Sequence, residues 1–178
     1  VTTVVHAYGR LVDPPGLPYE SRVSQVLDDL AVCLCAQIEI DGLPPTCFCG
    51  VMPGAEVALD YAGDCEVRCG MAWVRMIAAY PSTSVGAAAE RPGNCSAGVG
   101  IDIEMGIVRC LDVGDGGQPP SPDAMAGSAR LQSADMMAMW RAVVCCNGSN
   151  DWMMGQYQPY GPEGALVGGM FQIAVTVF

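Results

Sequence analysis

From Ser21 onward the apolar residues Val23, Val26, Leu27, Leu30, Cys33 and Leu34 recur at helical spacing, while Arg22, Asp28 and Asp29 fall on the other side. This stripe predicts an amphipathic helix of about four turns. A period of two replaces it later: Cys65, Val67, Cys69, Met71, Trp73 and Ile77 hold alternate positions, interrupted by Arg75, ahead of Tyr80-Pro81. That alternation predicts a long strand, more buried toward its end. Val99, Ile101, Ile103, Met105 and Ile107 alternate with Gly100, Asp102, Glu104, Gly106 and Val108 in the cleanest strand of the chain. Only a Gly/Ala/Pro-rich loop joins the two strands, so antiparallel pairing is the simplest connection.

Ser121-Pro122-Asp123 offers an N-cap, a proline for the first helical position and an early acid. Met125, Ala129, Met136, Trp140 and Val143 are then expected to share the buried face of a second helix, closed by Asn147-Gly148. Phe171, Ile173, Val175 and Val177 alternate with Gln172, Ala174 and Thr176 in a final strand expected inside the sheet. Between the first helix and the first strand, Asp41-Gly42-Leu43-Pro44-Pro45, Met52-Pro53-Gly54 and Ala62-Gly63-Asp64 break regular structure, which predicts an elaborated loop over 41–64. Prolines at 14, 15 and 18 predict an extended arm over 1–19, leaving 20–178 as a single domain. The order of elements predicts an α+β fold: a mainly antiparallel sheet flanked by two helices, with a long cysteine-bearing loop insertion.

Of 178 residues 51% are apolar and 15% charged, which excludes a disordered chain, and no apolar run is long enough for a membrane helix. All eight basic residues are arginine and the net charge is −11. Such a chain has no basic run for gripping nucleic acid or docking on an anionic membrane. The opening Val1-Thr2-Thr3-Val4-Val5-His6 lacks the features of a secretory signal, although a processed mature chain would look the same.

His6 is the only histidine and falls in the predicted arm, a poor place for a nucleophile–base pair. Asp102 and Glu104 lie two apart on one strand, so their carboxylates share a face, either as paired acids or as a solvated face. Gly93-Asn94-Cys95-Ser96-Ala97-Gly98 misses the spacing of a nucleophile elbow, and Asp112 to Asp115 misses the calcium-loop pattern. Asn94-Cys95-Ser96 and Asn147-Gly148-Ser149 match the N-glycosylation triplet. The ten cysteines raise the question of redox compartment. Cys47, Cys49, Cys65 and Cys69 form two close pairs, leaving open a zinc site, disulfides closing the 41–64 loop, or buried thiols. No cofactor is expected.

The stretch from Cys69 through Gly70-Met71-Ala72-Trp73 to Tyr80-Pro81-Ser82, the loop Val51 to Ala55, and the ending from Tyr157-Gln158-Pro159-Tyr160-Gly161-Pro162 to Gly168-Gly169-Met170-Phe171 resemble head-to-tail connector proteins of long-tailed phages of actinobacteria. Within that group the chain looks like a tail terminator, and the resemblance spans roughly 20–178. It implies a non-enzymatic virion protein of the neck, assembled in the bacterial cytoplasm, that forms a homo-oligomeric, commonly hexameric ring on the tail tube. Its implied partners are the tail tube protein and the head-side stopper or connector protein, and its implied fold is a small antiparallel sheet flanked by helices. A lysine-free composition agrees with a GC-rich host.

A ring through which DNA passes without specific binding benefits from an acidic lumen, and Asp28, Asp29, Asp102 and Glu104 are the candidates for lining it. The alternatives are a head-to-tail stopper or adaptor of the same neck, or a secreted, disulfide-rich binding module.

Overall fold

A computed structural model of the chain describes residues 21–54, 56–57, 59, 69–82, 98–111, 120–145, 152–163 and 165–177. Its elements in order are α1 (Arg22–Ile40), β1 (Phe48–Val51), β2 (Met71–Ser82), β3 (Gly98–Cys110), α2 (Pro122–Cys145), β4 (Trp152–Glu163) and β5 (Leu166–Val177). The arm over 1–19, with His6, lies outside the described residues, as do Asp112 to Asp115 and both glycosylation triplets.

Helix α1 starts at a reciprocal cap. The Ser24 N–H donates to Ser21 Oγ at 3.1 Å, and the Ser21 N–H donates back to Ser24 Oγ at 3.0 Å. The helix runs about one turn past the expected four, because Ile38 continues the stripe of Leu30 and Leu34 into the core. Its end is set by the breaker Asp41-Gly42-Leu43. Gly42 takes φ +65°, its N–H bonds Glu39 O, and the Leu43 N–H reaches back to Ile38 O, a closure that consumes otherwise orphaned carbonyls. Leu30 and Leu34 are fully buried, each stabilising the fold by about 1.5–3 kcal/mol.

The five strands are ordered β1-β2-β3-β5-β4. Only the β1–β2 pairing is parallel, and β2–β3, β3–β5 and β5–β4 are antiparallel. This is the expected α+β fold with a mainly antiparallel sheet. β3 is central, and β5 lies between β3 and β4, inside the sheet as its alternation predicts. Both helices cover one face: α1 packs on β1 and β2, α2 on β3 and β5, and the helices on each other. The main core lies between these layers, with Ile101, Ile103, Met105 and Ile107 of β3 and Phe171, Ile173 and Val175 of β5 beneath Leu30, Leu34 and Met139. A second cluster occupies the reverse face, where Met52 joins Met71, Trp73, Val108 and Leu166, with Phe48, Val57 and Leu59 packed against it. The loop insertion therefore wraps around the β1 edge and covers part of the reverse face.

Three local expectations are corrected, and one strand is added. β2 is most buried at its start, Met71 to Arg75, not its end, because the chain after β1 covers that half. A bulge at Ile77, between the registered Met76 and Ala78, then shifts the pleat where four residues are exposed. β1 falls within the segment expected to be loop, its four residues being too few to show a period. β4, a strand the sequence pattern does not announce, contains Gly155, Pro159, Gly161 and Pro162, which are tolerated because β4 is an edge strand with two register shifts. The buried face of α2 is Asp135, Ala138, Met139, Ala142 and Val143, whereas Met125 and Trp140 are exposed. That stripe begins at a carboxylate, so an apolar pattern alone places it wrongly.

Close approach explains two glycines of β3. Trp73 lies across from Gly106 and Tyr80 across from Gly100, and a Cβ on either glycine would overlap the facing ring.

Candidate functional site

Arg75 breaks the alternation of β2 because its partner across the ladder is Glu104 of β3, on the reverse face of the sheet. The pairing is a fork. Arg75 Nε donates to Glu104 Oε1 at 2.7 Å and Nη2 to Oε2 at 2.9 Å, while Trp73 Nε1 donates to the same Oε1 at 2.9 Å. Both charged residues are buried, and Arg75 Nη1 reaches the Gly54 carbonyl at 3.4 Å, tying the loop insertion to the sheet.

A second fork joins the helix layer to the opposite face. Arg109 of β3 donates through Nε and Nη2 to the two Asp135 oxygens, each at 2.7 Å, and through Nη1 to Pro44 O at 2.6 Å. Burial pushes the Asp135 carboxyl above its ordinary value, with Arg109 pulling the other way. The cleft beside this pair, lined by Arg109, Ser128, Gln132 and Asp135 among others, has about 20 Å³, room for a single water. Both forks are structural in geometry: each guanidinium is buried and bonded to a carboxylate and a backbone carbonyl.

The four acidic lumen candidates are not brought together. Asp28 and Asp29 are exposed on α1, on the outer side of the helix layer. Asp102 and Glu104 lie on the reverse face of the sheet, on the other side of the molecule. Glu104 is buried and its charge is matched by Arg75, so it is not available to line a lumen. Asp102 is half-buried and accepts the Tyr80 hydroxyl at 3.0 Å; burial, and then this carboxylate, raise the Tyr80 phenol above its ordinary value.

The zinc reading of Cys47, Cys49, Cys65 and Cys69 is overturned. Cys49 is bonded to Cys35 and Cys69 to Cys110, with Cα atoms 5.9 and 5.5 Å apart, and Cys47 is also disulfide-bonded, as is Cys33. A sulfur in a disulfide has no thiolate to offer a metal. Cys65 lies outside the described residues. The disulfide alternative stands with different ends: the bridges fasten the insertion to α1 and join β2 to β3. Cys35 is bonded to a cysteine 14 positions away, a pairing that spacing does not reveal. Among the described residues, no three His, Cys, Asp or Glu side chains are grouped to hold a metal, and no helix is long and apolar enough to cross a membrane.

What remains exposed is apolar as well as acidic. Met137, Trp140 and Val144 follow one another at helical spacing on the open side of α2, and Trp140 also rests on Phe171, their ring centroids 6.4 Å apart. Tyr157 of β4 meets the same ring at 5.3 Å. Chemically these surfaces suit contact with other macromolecules. No protein-family model matches the chain, and a search of curated proteins finds no match either.

Proposed function

We propose that this chain is a structural subunit of a phage neck, forming a ring, hexameric in the reading preferred here, at the head-proximal end of the tail tube. There it ends tube polymerisation and joins the tail to the head-side connector, in a virion assembled in the bacterial cytoplasm. One observation carries the reading: the segments that resemble tail terminators coincide with structural units of the sheet. The stretch 69–82 is β2 with its approach, 51–54 is the end of β1 and the chain leaving it, and 157–171 spans parts of the paired strands β4 and β5. The α+β fold itself agrees with the one that the resemblance implies.

The test is addition of the purified chain to growing tail tubes. Capping of one tube end and arrest of elongation support the proposal, and native mass spectrometry without reductant should give a six-fold mass. Tubes that elongate undisturbed overturn it. Within the same neck, co-purification separates a terminator, which brings tail-tube protein, from a stopper, which brings portal-side proteins.

The Cys35–Cys49 and Cys69–Cys110 bridges favour a second reading, a secreted, disulfide-stapled binding module. Disulfides also persist on released virions, so they do not decide between the two. A monomer that leaves tubes untouched would move the assignment to the secreted module.

A further inference from the structure

We infer that the Cys35–Cys49 disulfide is a redox latch that fastens β1 over the outer edge of β2, and that reduction frees this edge while the rest of the sheet stays folded. The inference is independent of what the chain assembles with.

β1 is the weakest element of the sheet. It has four residues, pairs with one neighbour among the described residues, and does so in parallel from Phe48↔Met71 to Val51↔Val74. Single bonds extend the pairing at either end, Cys47 N to Gly70 O at 2.8 Å and Met52 N to Val74 O at 2.9 Å. By contrast β3 is registered with β5 over its whole length from Val99 to Cys110. The breakers Pro44-Pro45 on one side and Pro53-Gly54 on the other give β1 no support from flanking regular structure. One covalent anchor is Cys49, whose bond to Cys35 ties the strand to the last turns of α1 across 14 residues, and Cys47 beside the strand is disulfide-bonded as well. Both cysteines are half-buried, within reach of a small thiol or disulfide.

What the latch holds down is specific. β1 occupies the hydrogen-bonding edge of β2 from Met71 to Val74, and the chain leaving it seats Met52 against Trp73 on the reverse face. Unlatched, that edge is a short open template for an added strand; latched, it is closed.

The chemistry balances with a low-molecular-weight disulfide such as glutathione disulfide as oxidant. One cysteine thiolate attacks it, forming a mixed disulfide and expelling one glutathione thiolate. The second cysteine thiolate then attacks the protein sulfur, closing Cys35–Cys49 and expelling the other. The two cysteines lose two electrons and two protons, and glutathione disulfide is reduced to two glutathione molecules. A reducing cytoplasm runs the exchange backwards.

The test is hydrogen exchange on the full chain, oxidised with glutathione disulfide or held reduced with a phosphine. In the reduced protein, amides of Phe48–Val51 and of Met52 should exchange about a hundred-fold faster, the order expected for losing a loop closure of this size. Amides of Ile101 to Ile107 and Phe171 to Val175 should keep their protection. Equal protection of β1 in both forms overturns the latch. Loss of protection across the whole sheet also overturns it, because the bridges would then be supports of the entire fold. The double variant Cys35→Ser with Cys49→Ser isolates this bridge while leaving the bond at Cys47 in place: in oxidising buffer it should show the fast β1 exchange, and protection equal to the parent's overturns the assignment to this disulfide.

Discussion

Glu104 receives three donors at once, two from Arg75 and one from Trp73 Nε1, in a place where water cannot replace them. Removing its charge takes from the buried Arg75 guanidinium the carboxylate it forks with, so Glu104→Gln should cost about 3–5 kcal/mol in a urea melt. Replacing both partners with apolar residues, Arg75→Met with Glu104→Leu, should recover most of that loss, since neither charge then has to be desolvated. A double variant as unstable as the single one would show that shape, not charge pairing, holds this site. The Arg109–Asp135 fork makes a different prediction, about pH. Burial holds the Asp135 carboxyl above its ordinary value of 3.8, so the folded chain keeps this proton more readily than the unfolded chain. Its contribution is therefore full below the unfolded value and is lost as the pH rises through the folded one. The stability advantage of the parent over Asp135→Asn, read from denaturation midpoints, should be largest at the acid end and narrow toward neutrality. A gap that widens with pH would mean that Arg109 outweighs burial.

The elements divide according to how their residues declare themselves. β3 and β5 are plain in the sequence, because a strand buried on one face by helices and half-covered on the other keeps its period of two. The start of α1 is equally plain, while its length depends on Ile38, one apolar position beyond the run. β4 is hidden by the prolines and glycines that an edge strand tolerates, and β1 by its brevity. The buried face of α2 is obscured for a physical reason: a charged residue enters a core only with a partner, and Arg109 lies 26 positions away. The acidic candidates illustrate the same limit, since the spacing of Asp102 and Glu104 fixes their common face and says nothing of the arginine that neutralises one of them. Disulfide partners are likewise set by the fold. The Cys69–Cys110 bridge joins the start of β2 to the end of β3 across 41 residues. Replacing both cysteines with serine should lower the unfolding free energy by about 2–4 kcal/mol in a guanidinium melt, with the secondary structure retained. An unchanged midpoint would show that the β2–β3 ladder alone restrains that end.

For the whole molecule, the layered fold turns a diffuse net charge of −11 into a question of orientation. Asp28 and Asp29 project from the outer side of the helix layer, whereas Asp102 lies on the reverse face of the sheet beyond two layers of structure. A ring in which each subunit turns one face inward can line its lumen with one of these sets, not both. Glu104 adds nothing to the second set because its charge is cancelled by Arg75. The exposed pair on α1 is the more accessible candidate, and it can be neutralised without touching the core. Asp28→Asn with Asp29→Asn should change stability by less than about 0.5 kcal/mol, leave the assembled mass unchanged, and slow DNA ejection through particles carrying the variant, most visibly at low salt where repulsion is least screened. Asp102→Asn, which loses a contact with Tyr80 on the opposite face, should leave ejection unaltered. The reverse outcome, ejection slowed by Asp102→Asn alone, would turn the subunit around, with the sheet facing the DNA and the helices facing out. Ejection unaffected by either variant would remove the acidic lumen while leaving the ring itself to be judged by tube capping.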